Sequence, residues 1–236
     1  MSILFFKPFL IGEIENPLSS DNCLAITQDM LAWHKKEKSL IEVDNSKLKI
    51  DTKLDIELFE EFMNFSSQET RTALRDLTSN RFLQKLSRKV FFYVLLGRHD
   101  FRSIDIVRAM FGFGPARIRL ELSWLPVNSF IVPHTDSYAK LFSGMIYLQQ
   151  EDDMHLGTNF WDSNIINKEN IHYKDNLLKA FNKTKKKLFL PKFISEKMYF
   201  FIRNNRSWHS VEKIKHPRRT YVRLSLNLNI ISERKI

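Results

Sequence analysis

Beyond Gly112-Phe113-Gly114-Pro115 the hydropathy of this chain changes period from helical to two. Ile118, Leu120, Leu122 and Trp124 alternate with Arg117, Arg119, Glu121 and Ser123, which places apolar side chains on one face of an extended segment and polar ones on the other. The pattern returns near the end, where Arg219, Tyr221, Arg223, Ser225, Asn227 and Asn229 alternate with Thr220, Val222, Leu224, Leu226, Leu228 and Ile230. Two-faced strands of this kind suit a small barrel that helices cover from outside and whose interior holds charged groups. Upstream, the spacing predicts helices over Ile56–Met63, with Asp55 as cap, over Thr70–Leu77, and over Arg81–Tyr93. Ser66 and Glu69 are placed to form a capping box ahead of the second. The expected fold is mainly β with flanking helices (α+β): one domain over 1–236, a mainly helical scaffold over 1–110 and a β core over 111–236. At 236 residues with 43% apolar content, the chain is long enough to bury one full core.

The chemistry-bearing residues fall inside the β half. Pro133-His134-Thr135-Asp136 is followed at a distance by Ser207-Trp208-His209-Ser210-Val211 and then by Arg223-Leu224-Ser225. A His and an Asp two apart on an extended segment, joined by a distant His, offer two imidazoles and one carboxylate to one side of a metal and leave its other positions open. Cys23 is the only cysteine, so a thiolate site is excluded, whereas zinc stays open because some hydrolases hold it with two histidines and a carboxylate. Arg223 separates the choices: its guanidinium can clamp a carboxylate by two parallel hydrogen bonds, for which a zinc hydrolase has no general need. His-x-Asp or Trp-His alone is common by chance. The ordered set carries the inference.

On these residues the chain resembles the 2-oxoglutarate and iron(II)-dependent oxygenases, in their prolyl-hydroxylase-like branch, over roughly residues 111–231. Met145-Ile146-Tyr147-Leu148, Leu156-Gly157-Thr158-Asn159-Phe160 and Trp208-His209-Ser210-Val211 are similar to successive strands of that family. The resemblance implies a double-stranded β-helix (jelly-roll, cupin-like) barrel. It implies His134, Asp136 and His209 as metal ligands and catalytic centre, with Fe(II), 2-oxoglutarate as cosubstrate and O2, and ascorbate as an additional candidate. It also implies that Arg223 of the Arg-x-Ser225 strand, helped by Tyr147, holds the far carboxylate of 2-oxoglutarate. Many relatives carry that arginine about ten residues after the distal His, which makes Arg219 a rival; the Arg-x-Ser context and the turn at His216-Pro217-Arg218 favour Arg223. The barrel interior is expected to carry His134, Asp136, Ser143, Tyr147, His209 and Arg223, with Leu120, Leu224, Leu226 and Leu228 outside under helices. Asn128 fits a turn that needs a left-handed backbone. An insertion is expected at about 162–195, with helical spacing from Tyr173 to Lys187 and Pro191 as breaker; in the family such a segment often lies over the site's mouth, and a plain surface excursion is an equal reading. Asp136 favours hydroxylation over halogenation, since related halogenases lack the carboxylate.

Charge and composition bound the partners. The net charge of +10 is scattered, and its densest run, Lys183-Thr184-Lys185-Lys186-Lys187, reads first as a solvated face and second as a substrate contact. The chain has no zinc-finger spacing, RNA-binding aromatic signature or phosphate-cradling loop, and it lacks the second arginine of the family's nucleic-acid demethylases, so nucleic acid is disfavoured. No stretch reaches the ~18 apolar residues of a membrane span. Met1 to Ile11 lacks a basic leader, and a lone cysteine fits a reducing cytoplasm. Lys140, Asn159, Trp161, Arg117 and Arg119 are candidates to face a polar substrate. The expected function is a 2-oxoglutarate/Fe(II)-dependent dioxygenase hydroxylating an unactivated C–H bond of a small polar metabolite or glycan intermediate. A protein side-chain hydroxylase is the alternative; from another class, a non-catalytic cupin-like or basic nucleic-acid-binding module.

Overall fold

A computed structural model of the chain describes residues 2–5, 7–37, 56–81, 85, 116–137, 139–149, 156–167, 175–195 and 197–232. In chain order the elements are β1 (Ser2–Phe5), β2 (Ile11–Glu15), α1 (Ser20–Glu37), α2 (Ile56–Phe65), α3 (Gln68–Ser79), β3 (Ala116–Pro126), β4 (Ile131–His134), β5 (Lys140–Tyr147), β6 (Asn159–Asp162), α4 (Asp175–Thr184), β7 (Lys186–Phe189), β8 (Lys197–Ile202), β9 (Trp208–Val211) and β10 (Val222–Ser232). The strands form a six-stranded sheet in the order β1-β2-β8-β5-β10-β3 and a four-stranded sheet in the order β4-β9-β6-β7. All pairings are antiparallel.

The two alternating segments become neighbours. β3 and β10 pair along their whole length, from Val222 opposite Pro126 to Ser232 opposite Ala116. Leu120, Leu122, Leu224, Leu226 and Leu228 share one buried cluster with Ile26, Met30 and Trp33 of α1 and with Leu74 and Leu77 of α3, so the apolar face of the large sheet is its helix-covered outside. Truncating one such residue, for example Leu226→Ala, costs about 2–5 kcal/mol. A second cluster, including Met145, Tyr147, Phe160, Phe193 and Phe201, fills one end of the space between the sheets. The polar face of β3 and β10 therefore looks into the barrel.

Several local details differ from the sequence expectation. Within the part read as mainly helical, β1 and β2 are strands, and β2 pairs with β8 at the edge of the large sheet. At four and five residues each, they are too short to establish a period of two. α1 is a further helix that the sequence reading leaves out, although its buried Cys23, Ile26, Met30 and Trp33 fall at the alternating three- and four-residue spacing of a helix. The cap of α3 is Ser67 rather than Ser66: Ser67 Oγ accepts from Thr70 N at 3.3 Å, while Ser66 Oγ donates to Phe62 O at 2.6 Å and closes α2. Ser67 is also held by Asp29 of α1, to which its Oγ donates at 2.7 Å. β10 starts at Val222, leaving Arg219 and Thr220 in a turn.

In the expected insertion, the helix ends at Thr184 and Lys186–Phe189 form an edge strand on β6. Phe189 stacks on Phe160 at 6.4 Å while Lys186 and Lys187 stay exposed, the usual protection of a sheet edge by lysine. Asn128 has φ 72°, as the turn requires. Asp55, Tyr173, most of 81–93, Gly112–Pro115 and the side chain of Arg117 lie outside the described residues. Among the described residues no helix is long and apolar enough to cross a membrane.

Candidate metal centre

His134 ends β4 and stands opposite His209 of β9 in the strand register. Their rings are 4.2 Å apart, centroid to centroid. Antiparallel pairing thus brings together two residues far apart in the chain, as cross-strand neighbours do at about 5 Å. His134 Nδ1 lies 2.8 Å from Val132 O, and His209 Nδ1 lies 3.0 Å from Ser207 O. A carbonyl only accepts, so each Nδ1 carries the proton and each Nε2 presents its lone pair. The two Nε2 atoms are 4.0 and 3.9 Å from Asp136 Oδ1, and the ligand atoms of all three residues lie within 4.8 Å of one another.

Asp136 is fixed from several sides. Its Oδ2 accepts a hydrogen bond from Ser143 Oγ on β5, and its backbone carbonyl accepts one from Arg203 Nε at 3.2 Å. Lys140 Nζ stands 3.5 Å from Asp136 Oδ1 and 3.5 Å from Glu121 Oε2, and Glu121 Oε1 meets Arg119 Nε at 3.5 Å. Lys140 and Arg119, read as substrate contacts, are therefore members of an ion-pair chain that reaches Asp136. Glu121 and Lys140 are the inner members, each facing two opposite charges, so loss of one outer member leaves them still paired.

A second polar cluster surrounds Arg223, which is 2% exposed on the inward face of β10. Its Nε donates to Leu156 O at 2.5 Å and its Nη2 to Thr158 Oγ1 at 3.4 Å. The guanidinium carbon lies 5.3 Å from the Tyr147 ring and 5.4 Å from Phe193. Burial lowers the Arg223 pKa from its ordinary value, and Tyr147 and Tyr221 oppose that shift. Tyr147 Oη accepts from Thr158 N at 2.9 Å, which leaves its own hydrogen free to donate. Ser225 is buried directly opposite Tyr147. Gly157 lets this segment approach the loop before β8: a Cβ there would run into the backbone oxygen of Pro191.

The structure thus gathers His134, Asp136 and His209 at one point and Arg223, Tyr147 and Ser225 at another, and leaves Arg219 exposed in its turn. Asn159 and Trp161 do not face the centre. Phe160 is the register partner of His209 and shares its inward face, so its two neighbours point outward, where Trp161 Nε1 donates to Ser210 Oγ at 2.8 Å. The lysine run lies on this outer side, with Lys185 Nζ 5.0 Å and Lys187 Nζ 5.6 Å from the Trp161 ring and Lys187 paired to Glu212 at 3.3 Å. Arg203, Glu121 and Phe193 escape the sequence reading. Arg203 continues the alternation of Tyr199 and Phe201 and is readable from that; Phe193 sits in an irregular segment with no period to read.

No protein-family profile matches the chain, and no curated protein matches its sequence. Solved structures do match. The epimerase SnoN in complex with Fe3+, α-ketoglutarate and nogalamycin RO is 11% identical with a TM-score of 0.51, over 94% of this chain and 78% of that one. A prolyl hydroxylase from Trichoplax adhaerens, in complex with a peptide of the hypoxia-inducible-factor oxygen degradation domain, is 12% identical with a TM-score of 0.50, over 94% and 84%. AviO1 from Streptomyces viridochromogenes Tue57 is 12% identical with a TM-score of 0.50, over 96% and 91%. At such identities the likeness is one of fold, and the fold of this chain is the double-stranded β-helix of the 2-oxoglutarate and iron(II)-dependent oxygenases.

Proposed function

We propose that the protein is an Fe(II)- and 2-oxoglutarate-dependent dioxygenase that oxidises a C–H bond of a small polar metabolite or glycan intermediate. The observation that carries this reading is the pairing of two sites in one barrel interior: the His134, Asp136 and His209 cluster and the buried guanidinium of Arg223. Ser143, which holds Asp136, and Tyr147, which packs on Arg223, lie four residues apart on the same face of β5. At about 3.3 Å per residue that is about 13 Å, a gap suited to an extended dicarboxylate running from a metal to a guanidinium.

The residues fit the metal. Two neutral imidazoles and one carboxylate, without thiolate, are the donor set of non-haem Fe(II) oxygenases. The Nε2 to Oδ1 separations of 4.0 and 3.9 Å are within twice a metal–nitrogen bond of about 2.1 Å, so one ion can reach all three residues. Both histidines have their tautomer preset by backbone carbonyls, and Ser143 orients the carboxylate, the usual outer support of a metal site.

The chemistry that iron(II) and 2-oxoglutarate supply when bound is the coupled consumption of dioxygen, giving succinate, carbon dioxide and an oxidised substrate. The chain's part is binding and exclusion. Arg223 holds the distal carboxylate by charge-assisted hydrogen bonds, and the free hydrogen of Tyr147 Oη is placed to donate to the same group. Phe193, packed on both Arg223 and Tyr147, and Tyr199 beside Tyr147 keep that end of the barrel dry, which strengthens the pair. Asp136, retained as a carboxylate ligand, favours hydroxylation over halogenation.

The test is anaerobic titration of Fe(II) and 2-oxoglutarate followed by admission of oxygen and measurement of succinate. Slow succinate formation that needs both additions and disappears in Asp136→Ala supports the reading. Absence of 2-oxoglutarate binding to the metal-loaded protein would overturn it.

A further inference from the structure

Lys140 Nζ stands 3.5 Å from Asp136 Oδ1, the same oxygen that the two histidine Nε2 atoms face at 4.0 and 3.9 Å. The other oxygen, Oδ2, is taken by Ser143 Oγ. Asp136 thus turns one oxygen toward both imidazoles, and an ammonium shares that oxygen. An ion bonded to Oδ1 at about 2.1 Å would lie within about 6 Å of Nζ, and Lys140 and Asp136 are both buried. Two cations repel strongly at that range inside a protein, and a carboxylate shared with an ammonium is a poorer donor to a metal.

Lys140 therefore differs in kind from Ser143. A hydroxyl orients a ligand without adding charge, whereas Lys140 adds a positive charge beside a centre that takes another. The same ammonium lies 3.5 Å from Glu121 Oε2, and Glu121 is 2% exposed. Lys140 stands between two buried carboxylates at equal range, of which one is a metal ligand and the other is not. Whatever draws the ammonium toward Glu121 frees Asp136 Oδ1.

We propose that Lys140 is a positioning residue that tunes the charge preference of the metal centre, lowering its affinity for metal and disfavouring iron(III) more than iron(II), and that Glu121 opposes both effects by drawing the ammonium off Asp136. Repulsion from one ammonium grows with the charge of the ion, so the trivalent state is penalised more than the divalent one. An oxygenase centre of this class works from iron(II), which gives the arrangement a use. A purely structural Lys140 predicts the reverse, because its loss would loosen Asp136 and weaken metal binding. This inference rests on the oxygenase reading and deepens it at the same site.

The experiment measures Mn(II) binding to the full chain by electron paramagnetic resonance, with Asp136→Ala marking the signal that belongs to this centre. In Lys140→Met, which keeps an unbranched side chain without its charge, affinity should rise by about 10–100-fold, the scale on which the outer partners of metal ligands act. In Glu121→Gln it should fall by about tenfold, because Lys140 then keeps to Asp136. The double variant Lys140→Met/Glu121→Gln removes both charges of a buried pair together, which folds more readily than breaking the pair. It should still bind Mn(II) more tightly than wild type, since the cation at Oδ1 is gone and Glu121 acts through that cation. A mediated redox titration of the iron-loaded protein supplies a second readout: the Fe(III)/Fe(II) midpoint should move down in Lys140→Met and up in Glu121→Gln.

Unchanged or weaker Mn(II) binding in a folded Lys140→Met, or in the double variant, would overturn the proposal. So would unchanged or tighter binding in Glu121→Gln, or a midpoint that stays or rises in Lys140→Met. Failure of wild type to bind Mn(II), or a signal that survives in Asp136→Ala, overturns the reading of this cluster as the metal centre, which separates the two failures.

Discussion

His134 and His209 face one another across the β4–β9 pair, and their Nε2 atoms stand 4.0 and 3.9 Å from the same oxygen of Asp136. Register, rather than proximity in the chain, makes this cluster. The rings are set by local contacts, each Nδ1 bonding the carbonyl two residues before it, so every histidine arrives with its tautomer already chosen. Each ring's orientation thus rests on backbone contacts, separate from any ion the cluster holds.

That separation gives the first prediction. On the proposed reading, His134→Ala, Asp136→Ala and His209→Ala should each abolish turnover while keeping a cooperative thermal transition, because these side chains lie in the polar cluster and outside both hydrophobic cores. In Asp136→Ala, Lys140 still has Glu121 as counter-charge. Ser143→Ala is milder: it removes only the hydrogen bond to Asp136 Oδ2, and metal affinity should fall about 10–100-fold. Mn(II) titration followed by electron paramagnetic resonance reads both effects, and a Ser143→Ala protein of unchanged affinity would count against the orienting role.

Gly157→Ala tests how the pocket around Arg223 is built. The added methyl meets the backbone oxygen of Pro191, which no rotamer change relieves. The segment carrying Leu156 O and Thr158, both bonded to Arg223, must then move away from the loop that carries Phe193. Overpacking of this kind costs about 1–3 kcal/mol. Thermal unfolding should show the loss, and calorimetry should show weaker 2-oxoglutarate binding than in wild type.

The large sheet and the metal cluster were legible because their signals are periodic or chemical. Leu224, Leu226 and Leu228 alternate with Arg223, Ser225 and Asn227, which fixes both the strand and the face that each residue takes. His134, Asp136 and His209 are rare residue types in an ordered set. What was not legible depends on tertiary partners. The strand Lys186–Phe189 looks like the tail of a basic helix until Phe160 provides a ring for Phe189 to stack on. The cap of α3 moved by one residue because Asp29, on another helix, holds Ser67. Asn159 and Trp161 looked like polar and aromatic contacts of the site, yet their register beside Phe160 turns them outward.

Alkaline pH should weaken the fold through Tyr199. Burial, with Glu13 and Tyr147 adding to it, pushes its pKa up from 10.0 to about 12. A folded-state pKa above the unfolded one gives a stability contribution that is complete below about pH 10 and is lost as pH rises through about 12. Denaturant unfolding of wild type and Tyr199→Phe over that window checks the sign. Wild type should lose stability more steeply than the variant, and identical slopes would show that Tyr199 ionises as freely when folded as when unfolded.

The two arginines near the C-terminal strand should behave unlike each other. Arg223 is inside the barrel against Tyr147 and Phe193, whereas Arg219 is exposed in the turn that precedes β10. Breaking a buried charge-assisted pair by removing one partner costs about 3–5 kcal/mol, and about 1.4 kcal/mol corresponds to a factor of ten. Arg223→Ala should therefore weaken 2-oxoglutarate binding to the Mn(II)-loaded protein by roughly two orders of magnitude or more. Arg219→Ala should change it by no more than about twofold, the scale of a screened surface charge. Arg223→Lys is the sharper variant: it keeps the charge but loses the planar fork that reaches Leu156 O, Thr158 and a carboxylate together, so it should recover only part of the affinity. A collapse in Arg219→Ala with wild-type affinity in Arg223→Ala would move the clamp to the turn, and would require that turn to fold over the barrel mouth when the cosubstrate binds.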